Sequence, residues 1–209
     1  MKIITGLIFL VCTQVLAQIN ISKDTLHLEE VVIGNDRPKI KIRTEKLRGP
    51  CYAAENMADA SEIVTLVDGL KSGYLNSVSF HFNEMYFSKK VKPDTFRDTD
   101  FELVIYNVNP DNTPGEKLID DVMVATVKKE HKGSITLYLA GLDIQSPGKI
   151  FIGLKRLGQR SAQNEFYIDC LCNGHDKYFT MVRKNSSEQW IRNWVCAALK
   201  VDVSVASKK

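Results

Sequence analysis

The sequence predicts an all-β protein, an antiparallel two-sheet sandwich of about ten short strands. Three observations lead there. Runs rich in β-branched and aromatic residues recur at short spacing from residue 61 to the end of the 209-residue chain. Turn signals such as Asp68-Gly69, Ser72-Gly73, Pro114-Gly115 and Pro147-Gly148 punctuate them. Several runs are apolar on one side only, as in sheets that bury one face against another, and helical periodicity is scarce.

Taken in order, "MKIITGLIFLVCTQVLAQ" (1–18) has a basic start, an apolar run and the small-x-small ending Val15-Leu16-Ala17. These are the three parts of a secretory signal, predicting cleavage after Ala17 and a mature chain outside the cytoplasm. The apolar run is short for a membrane span, and no later stretch reaches that length. Residues 18–36 then form an extended or flexible lead-in, and residues 37–209 the sandwich. In "PKIKIRTEKL" (38–47), Ile40 and Ile42 alternate with Lys39, Lys41 and Arg43, the period of a half-buried strand with a solvated basic face. "CYAAENMADASEIV" (51–64) suits a short helical turn. "SEIVTLV" (61–67) and "YLNSVSFHF" (74–82) read as strands on either side of the Gly-containing turn.

"FELVIYNV" (101–108) is a strand apolar on both faces, and "NPDNTPG" (109–115) is a turn by composition. "DVMVATVKK" (121–129), "GSITLYLAGL" (133–142), "GKIFIGLKRL" (148–157), "EFYIDCLC" (165–172) and "KYFTMVR" (177–183) continue the series. In the second of these, Ile135, Leu137 and Leu139 share one side, and Thr136 and Tyr138 the other. In "VCAALKVDVSV" (195–205), Val195, Ala197, Leu199, Val201, Val203 and Val205 share a face opposite Cys196, Ala198, Lys200, Asp202 and Ser204.

Two resemblances add to this reading. "HLEEVVIG" (27–34) resembles the acidic-then-aliphatic TonB-box-type peptide near the start of TonB-dependent outer-membrane receptors. As an extended segment it suits either the first strand of the sandwich or a tag that adds to a partner's sheet edge. The chain is far too short for a receptor barrel. From about Glu62 to the end the chain is similar to small exported jelly-roll-like sandwiches of gram-negative envelopes, on residues 101–121 and 133–157 with Ile105-Tyr106-Asn107-Val108, Pro114-Gly115 and Pro147-Gly148. Some members of that group follow carboxypeptidase-regulatory-like domains. The resemblance implies a jelly-roll-like fold and an envelope compartment, and carries no established activity.

Net charge is +3, from 28 basic and 25 acidic residues, too balanced to suggest nucleic acid as a partner. The histidines at 27, 81, 131 and 175 are scattered, and neither a metalloprotease helix, a nucleophile elbow nor a phosphate loop is present. Ser146-Pro147-Gly148-Lys149 has Ser-x-x-Lys spacing, but in a turn rather than on a helix. Cys170, Cys172 and His175 have soft-ligand character, yet their alternation with Phe166 and Ile168 reads as core and Asn173-Gly174 as a hairpin turn. The mature chain keeps Cys51, Cys170, Cys172 and Cys196. Cys170 or Cys172 can pair with Cys196 or Cys51, or all can remain buried thiols. The acidic clusters at Asp94, Asp98 and Asp100, and at Asp111, Asp120 and Asp121, lack the spacing of a calcium loop. No metal site, cofactor or catalytic set is expected.

The candidate ligand-binding residues are Trp190, Trp194 and Tyr178, aromatics able to stack on sugar rings. Trp190 and Trp194, four apart, fall on one strand face. The expected role is non-enzymatic: binding of an envelope protein or a surface polymer in the periplasm, at the outer membrane or outside the cell. A carbohydrate-binding module is the alternative, and a hydrolase with an unrecognised site the third.

Overall fold

A computed structural model describes residues 40–49, 52–55, 60–84, 98–158, 167–172, 178–194 and 196–208. The expected leader, the lead-in with its 27–34 segment, Cys51, Asp94 and His175 lie outside the described residues. All described residues belong to one compact unit, Pro38–Lys209.

The fold is all-β, with fourteen strands among the described residues and every pairing antiparallel. They are β1 (Ile40–Lys46), β2 (Tyr52–Glu55), β3 (Glu62–Asp68), β4 (Tyr74–Phe82), β5 (Thr99–Val108), β6 (Pro114–Lys117) and β7 (Val124–Val127). There follow β8 (Gly133–Tyr138), β9 (Lys149–Arg156), β10 (Ile168–Leu171), β11 (Thr180–Arg183), β12 (Ile191–Asn193), β13 (Ala198–Leu199) and β14 (Val201–Lys208).

The topology is that of a jelly roll. In the first sheet β1, β14, β4 and β8 are neighbours in that order. In the second the order is β3, β9, β5, and then β6 and β7, which lie end to end along one edge of β5 as a single interrupted strand. Numbered by position in the chain, the framework strands run 1-8-3-6 in one sheet and 2-7-4-5 in the other, the two Greek keys of a double-sheet roll. The chain between β9 and β14 is an insertion on this framework. It places the β11–β12 hairpin on the free edge of β3, and β10 and β13 at the Phe82 end of β4, where β2 from the β1–β3 connection also pairs with β10.

Alternation drives the closure of the two sheets. Val78, Phe80, Phe82, Val201, Val203 and Val205 of the first sheet meet Ile63, Val67, Leu103, Ile105, Ile150, Ile152 and Leu154 of the second. Each such side chain contributes about 1.5–3 kcal/mol by leaving water. The second sheet is also buried on its far side, where Val64, Leu66, Val104, Tyr106, Phe151, Phe179 and Met181 form a separate cluster. That second cluster is why 101–108 is apolar on both faces. Gly153 sits on the same side, where a β-carbon would overlap the Ile63 carbonyl oxygen and come within 2.6 Å of the Val64 Cα. The absent side chain thus permits close approach of β3 and β9.

Four expectations are corrected. The strand count exceeds ten because β2, β6, β12 and β13 have two to four residues, too few to show alternation. The Ala-rich 51–64 stretch holds no described helical turn. Its residues 52–55 are a strand, since pairing with β10 outweighs a weak local propensity. β1 is not half-buried: all seven residues are exposed, with Ile40 at 66% and Ile42 at 56%, because it is an edge strand that extends beyond the core. The long alternating run at 195–205 is broken at Lys200, whose amide donates to the Asp169 carbonyl, and bulged between Ser204 and Val205. No described helix is long and apolar enough to cross a membrane.

Candidate functional site

The far side of the second sheet, widened by the β11–β12 hairpin, gathers polar and aromatic groups into one cluster. In the hairpin Thr180, Met181 and Val182 oppose Asn193, Arg192 and Ile191. Alternation then sends Phe179, Met181 and Arg183 to the same side as Trp190, Arg192 and Trp194. Two cation–aromatic groups result. The Arg192 guanidinium lies 4.5 Å from the ring centre of Phe179 and 4.5 Å from that of Trp194. The Arg183 guanidinium lies 4.4 Å from the ring centre of Trp190 and 5.8 Å from that of Tyr106.

Arg183 anchors a buried network. Its Nη2 donates to Glu62 Oε1 at 2.9 Å, to Oε2 at 2.8 Å and to the Tyr106 hydroxyl at 3.1 Å. Tyr106 in turn donates to Glu62 Oε2 at 2.7 Å, and Ser186 Oγ donates to Oε1 at 3.3 Å. Glu62 is only 1% exposed, so its charge is balanced by these donors rather than by water. Burial, and then the adjoining Glu62 carboxylate, push the Tyr106 phenol above its usual range and keep it protonated. Trp190 packs edge-on against Tyr106 with ring centres 5.6 Å apart.

Next along the same face is Glu102, bound by Lys117 Nζ at 2.5 Å and Lys155 Nζ at 3.1 Å. Burial alone would raise its pKa, but these hydrogen bonds and charges outweigh it, and the carboxyl sits below its ordinary 4.5. A folded pKa below the unfolded one stabilises the fold above the unfolded value, and that stability is lost as pH falls through the folded value. Urea midpoints are therefore expected to drop between about pH 5 and pH 3, with part of the slope missing in Glu102→Gln.

A cleft of about 460 Å³ opens over this face. Phe179, Met181 and Arg192 line one side, and Asp111, Asn112 and Thr113 of the β5–β6 turn the other. The turn is locally fixed: Asp111 Oδ1 accepts from the Thr113 hydroxyl at 2.6 Å and the Thr113 amide at 3.0 Å, bonds that lower the Asp111 pKa. Asn112 adopts φ 61°, a left-handed conformation that Asn tolerates. On the other side of this turn a second cleft, of about 560 Å³, is bordered by Asn109, Asn112, Pro147 and Lys149.

The structure separates the three sequence candidates. Trp194 is 75% exposed beside the cleft, stacked on Arg192. Trp190 is half-buried in the Arg183–Tyr106 network. Tyr178 packs against the main core instead of joining the tryptophans. Arg183, Arg192, Glu62 and Tyr106 were not singled out in the sequence. The sequence-level trace of Arg183 and Arg192 is the Arg-x-x-x-x-x-x-Trp-x-Arg-x-Trp run at 183–194, which includes neither Glu62 nor Tyr106.

The other chemical leads resolve simply. Cys170 bonds Cys196 across a 26-residue separation, and Cys172 is also held in a disulfide, so neither offers zinc a thiolate. Lys149 Nζ donates to Asn112 Oδ1 at 2.8 Å, and Ser146 Oγ accepts from the Gly148 amide at 3.4 Å. On the first sheet His81 stands 3.4 Å from Glu84 and 3.7 Å from Asp202. Lys200 bonds Glu84 and Arg48 bonds Asp202, so the charges there close on one another. No family model matches the chain, and no curated protein and no solved structure is significantly similar to it.

Proposed function

We propose that the protein is an exported, non-catalytic binding module that holds a glycan of a surface polymer in the cleft above β11 and β12. The observation that carries this reading is the aromatic and guanidinium stack Phe179–Arg192–Trp194, with Trp194 left open to solvent at the cleft edge. Sugar recognition pairs a flat apolar face with polar groups at the ring edge, and the Asp111–Thr113 turn supplies the polar wall. The carboxylates bordering this face are committed to structural partners: Glu62 to Arg183, Glu102 to its lysines, Asp111 to Thr113. This supports a holding role over an acid–base one. The Cys170–Cys196 bond suits an oxidising compartment, in keeping with export to the periplasm, the outer membrane or the exterior.

Affinity electrophoresis against a panel of soluble polysaccharides tests this. At least one polymer is expected to retard the mature protein, with Trp194→Ala weakening retention about tenfold, the worth of one aromatic stack. Retention unchanged in Trp194→Ala, or none by any polymer, would overturn the reading.

One observation favours a second reading, binding of an envelope protein. β1 is an edge strand whose Ile40 and Ile42 face solvent, a template for strand addition by a partner. It predicts a co-purifying protein that is lost when a charge or proline is placed at Ile42.

A further inference from the structure

We propose that the cleft selects an anionic glycan, whose carboxylate or sulfate groups dock on Arg192. The inference rests on the glycan reading above and names the charge of the ligand. Among the described residues the Arg192 guanidinium has neither a carboxylate nor a hydrogen-bond partner; its contacts are the faces of Phe179 and Trp194. Arg183 and Arg48 differ. Arg183 is spent on Glu62, and Arg48 on Asp202 at 2.7 Å. Stacking between two rings limits the rotamers of Arg192 while leaving its in-plane N–H fork free. That fork matches the two oxygens of a carboxylate or sulfate.

The facing wall does not compete for it. Asp111 carries a negative charge, but its Oδ1 is engaged by the Thr113 amide and hydroxyl. Beyond the turn, the adjoining cleft shares Asn112 with the first and adds a second cation, Lys149. Lys149 donates to Asn112 at 2.8 Å, and among the described residues its carboxylate neighbour is Asp68, at 4.0 Å. A polymer crossing the Asn112 turn would thus meet positive charge on both sides of it. A repeating acidic polysaccharide presents anions at intervals and fits this arrangement better than a neutral chain.

The test compares polygalacturonate, its carboxyl-reduced neutral counterpart, and single-stranded DNA as immobile phases for the full mature protein. The expected result is retention by the acidic polysaccharide that weakens with salt and falls roughly 10- to 100-fold in Arg192→Gln, the range for one charged hydrogen-bonded contact. Arg192→Lys should restore part of it, and Lys149→Gln should lower both affinity and salt dependence. Far-UV circular dichroism checks that each variant is folded, and Arg192 is exposed enough to be replaced without disturbing the core. Equal retention by the acidic and reduced polymers, or an unaffected Arg192→Gln, overturns the anionic selection and leaves the glycan reading standing. Retention by DNA alone overturns both, as does the absence of retention by any polysaccharide.

Discussion

Glu62→Ala is expected to lower unfolding free energy by about 3–5 kcal/mol, the cost of removing one partner from a buried ion pair. The reason lies in what remains. Arg183 keeps its charge beneath the surface of the second sheet, beside Trp190, and the Tyr106 hydroxyl loses its acceptor. Replacing both partners, as in Glu62→Leu with Arg183→Met, should cost clearly less than the two single changes together, because no orphaned charge is left. Urea unfolding of the four proteins in the cycle measures the difference. A loss under about 1 kcal/mol for Glu62→Ala would mean that the pair behaves like a solvated surface bridge. Because Trp190 rests on Arg183 and Tyr106, the same substitution is expected to loosen the hairpin that carries Arg192 and Trp194.

The second large effect concerns Cys170 and Cys196. Replacing both by alanine is expected to cost about 3.5 kcal/mol through the freedom restored to the unfolded chain, for a closed loop of this length. The bond joins the strand β10 to the residues just before β13, and both cysteines are fully buried. It therefore ties the two ends of the inserted segment together around β11 and β12. Unfolding of the double variant in urea, compared with the oxidised parent, reads the loss. A difference under about 1 kcal/mol would show that the insertion is held by packing alone.

The framework was legible in the sequence where strands are long and one-sided. β4 and β8 announce themselves through alternation, and β5 and β9 through apolar residues on both faces. What failed depends on pairing across the chain. Tyr52 to Glu55 looks helical until β10 supplies its hydrogen bonds, and Ile40 and Ile42 look buried until β1 proves to be an edge. At the site, the i and i+4 spacing of Trp190 and Trp194 located the hairpin face. Tyr178 is near them in sequence but points to the main core. Glu62 and Tyr106 lie 121 and 77 residues from Arg183, and no local pattern ties them to it.

The roll itself is complete without the stretch between β9 and β14, and the β11–β12 hairpin rides on that stretch, paired to β3 and anchored on Tyr106 of β5 and Phe151 of β9. The hairpin thus divides into buried or half-buried anchors, Arg183, Trp190 and Phe179, and exposed side chains, Arg192 and Trp194, that the fold does not need. On the proposed binding role, exchanging the exposed Arg192 and Trp194 while keeping Arg183 on Glu62 should retarget the molecule with β14 still closed beside β1 and β4, much as a tool holder accepts a new bit.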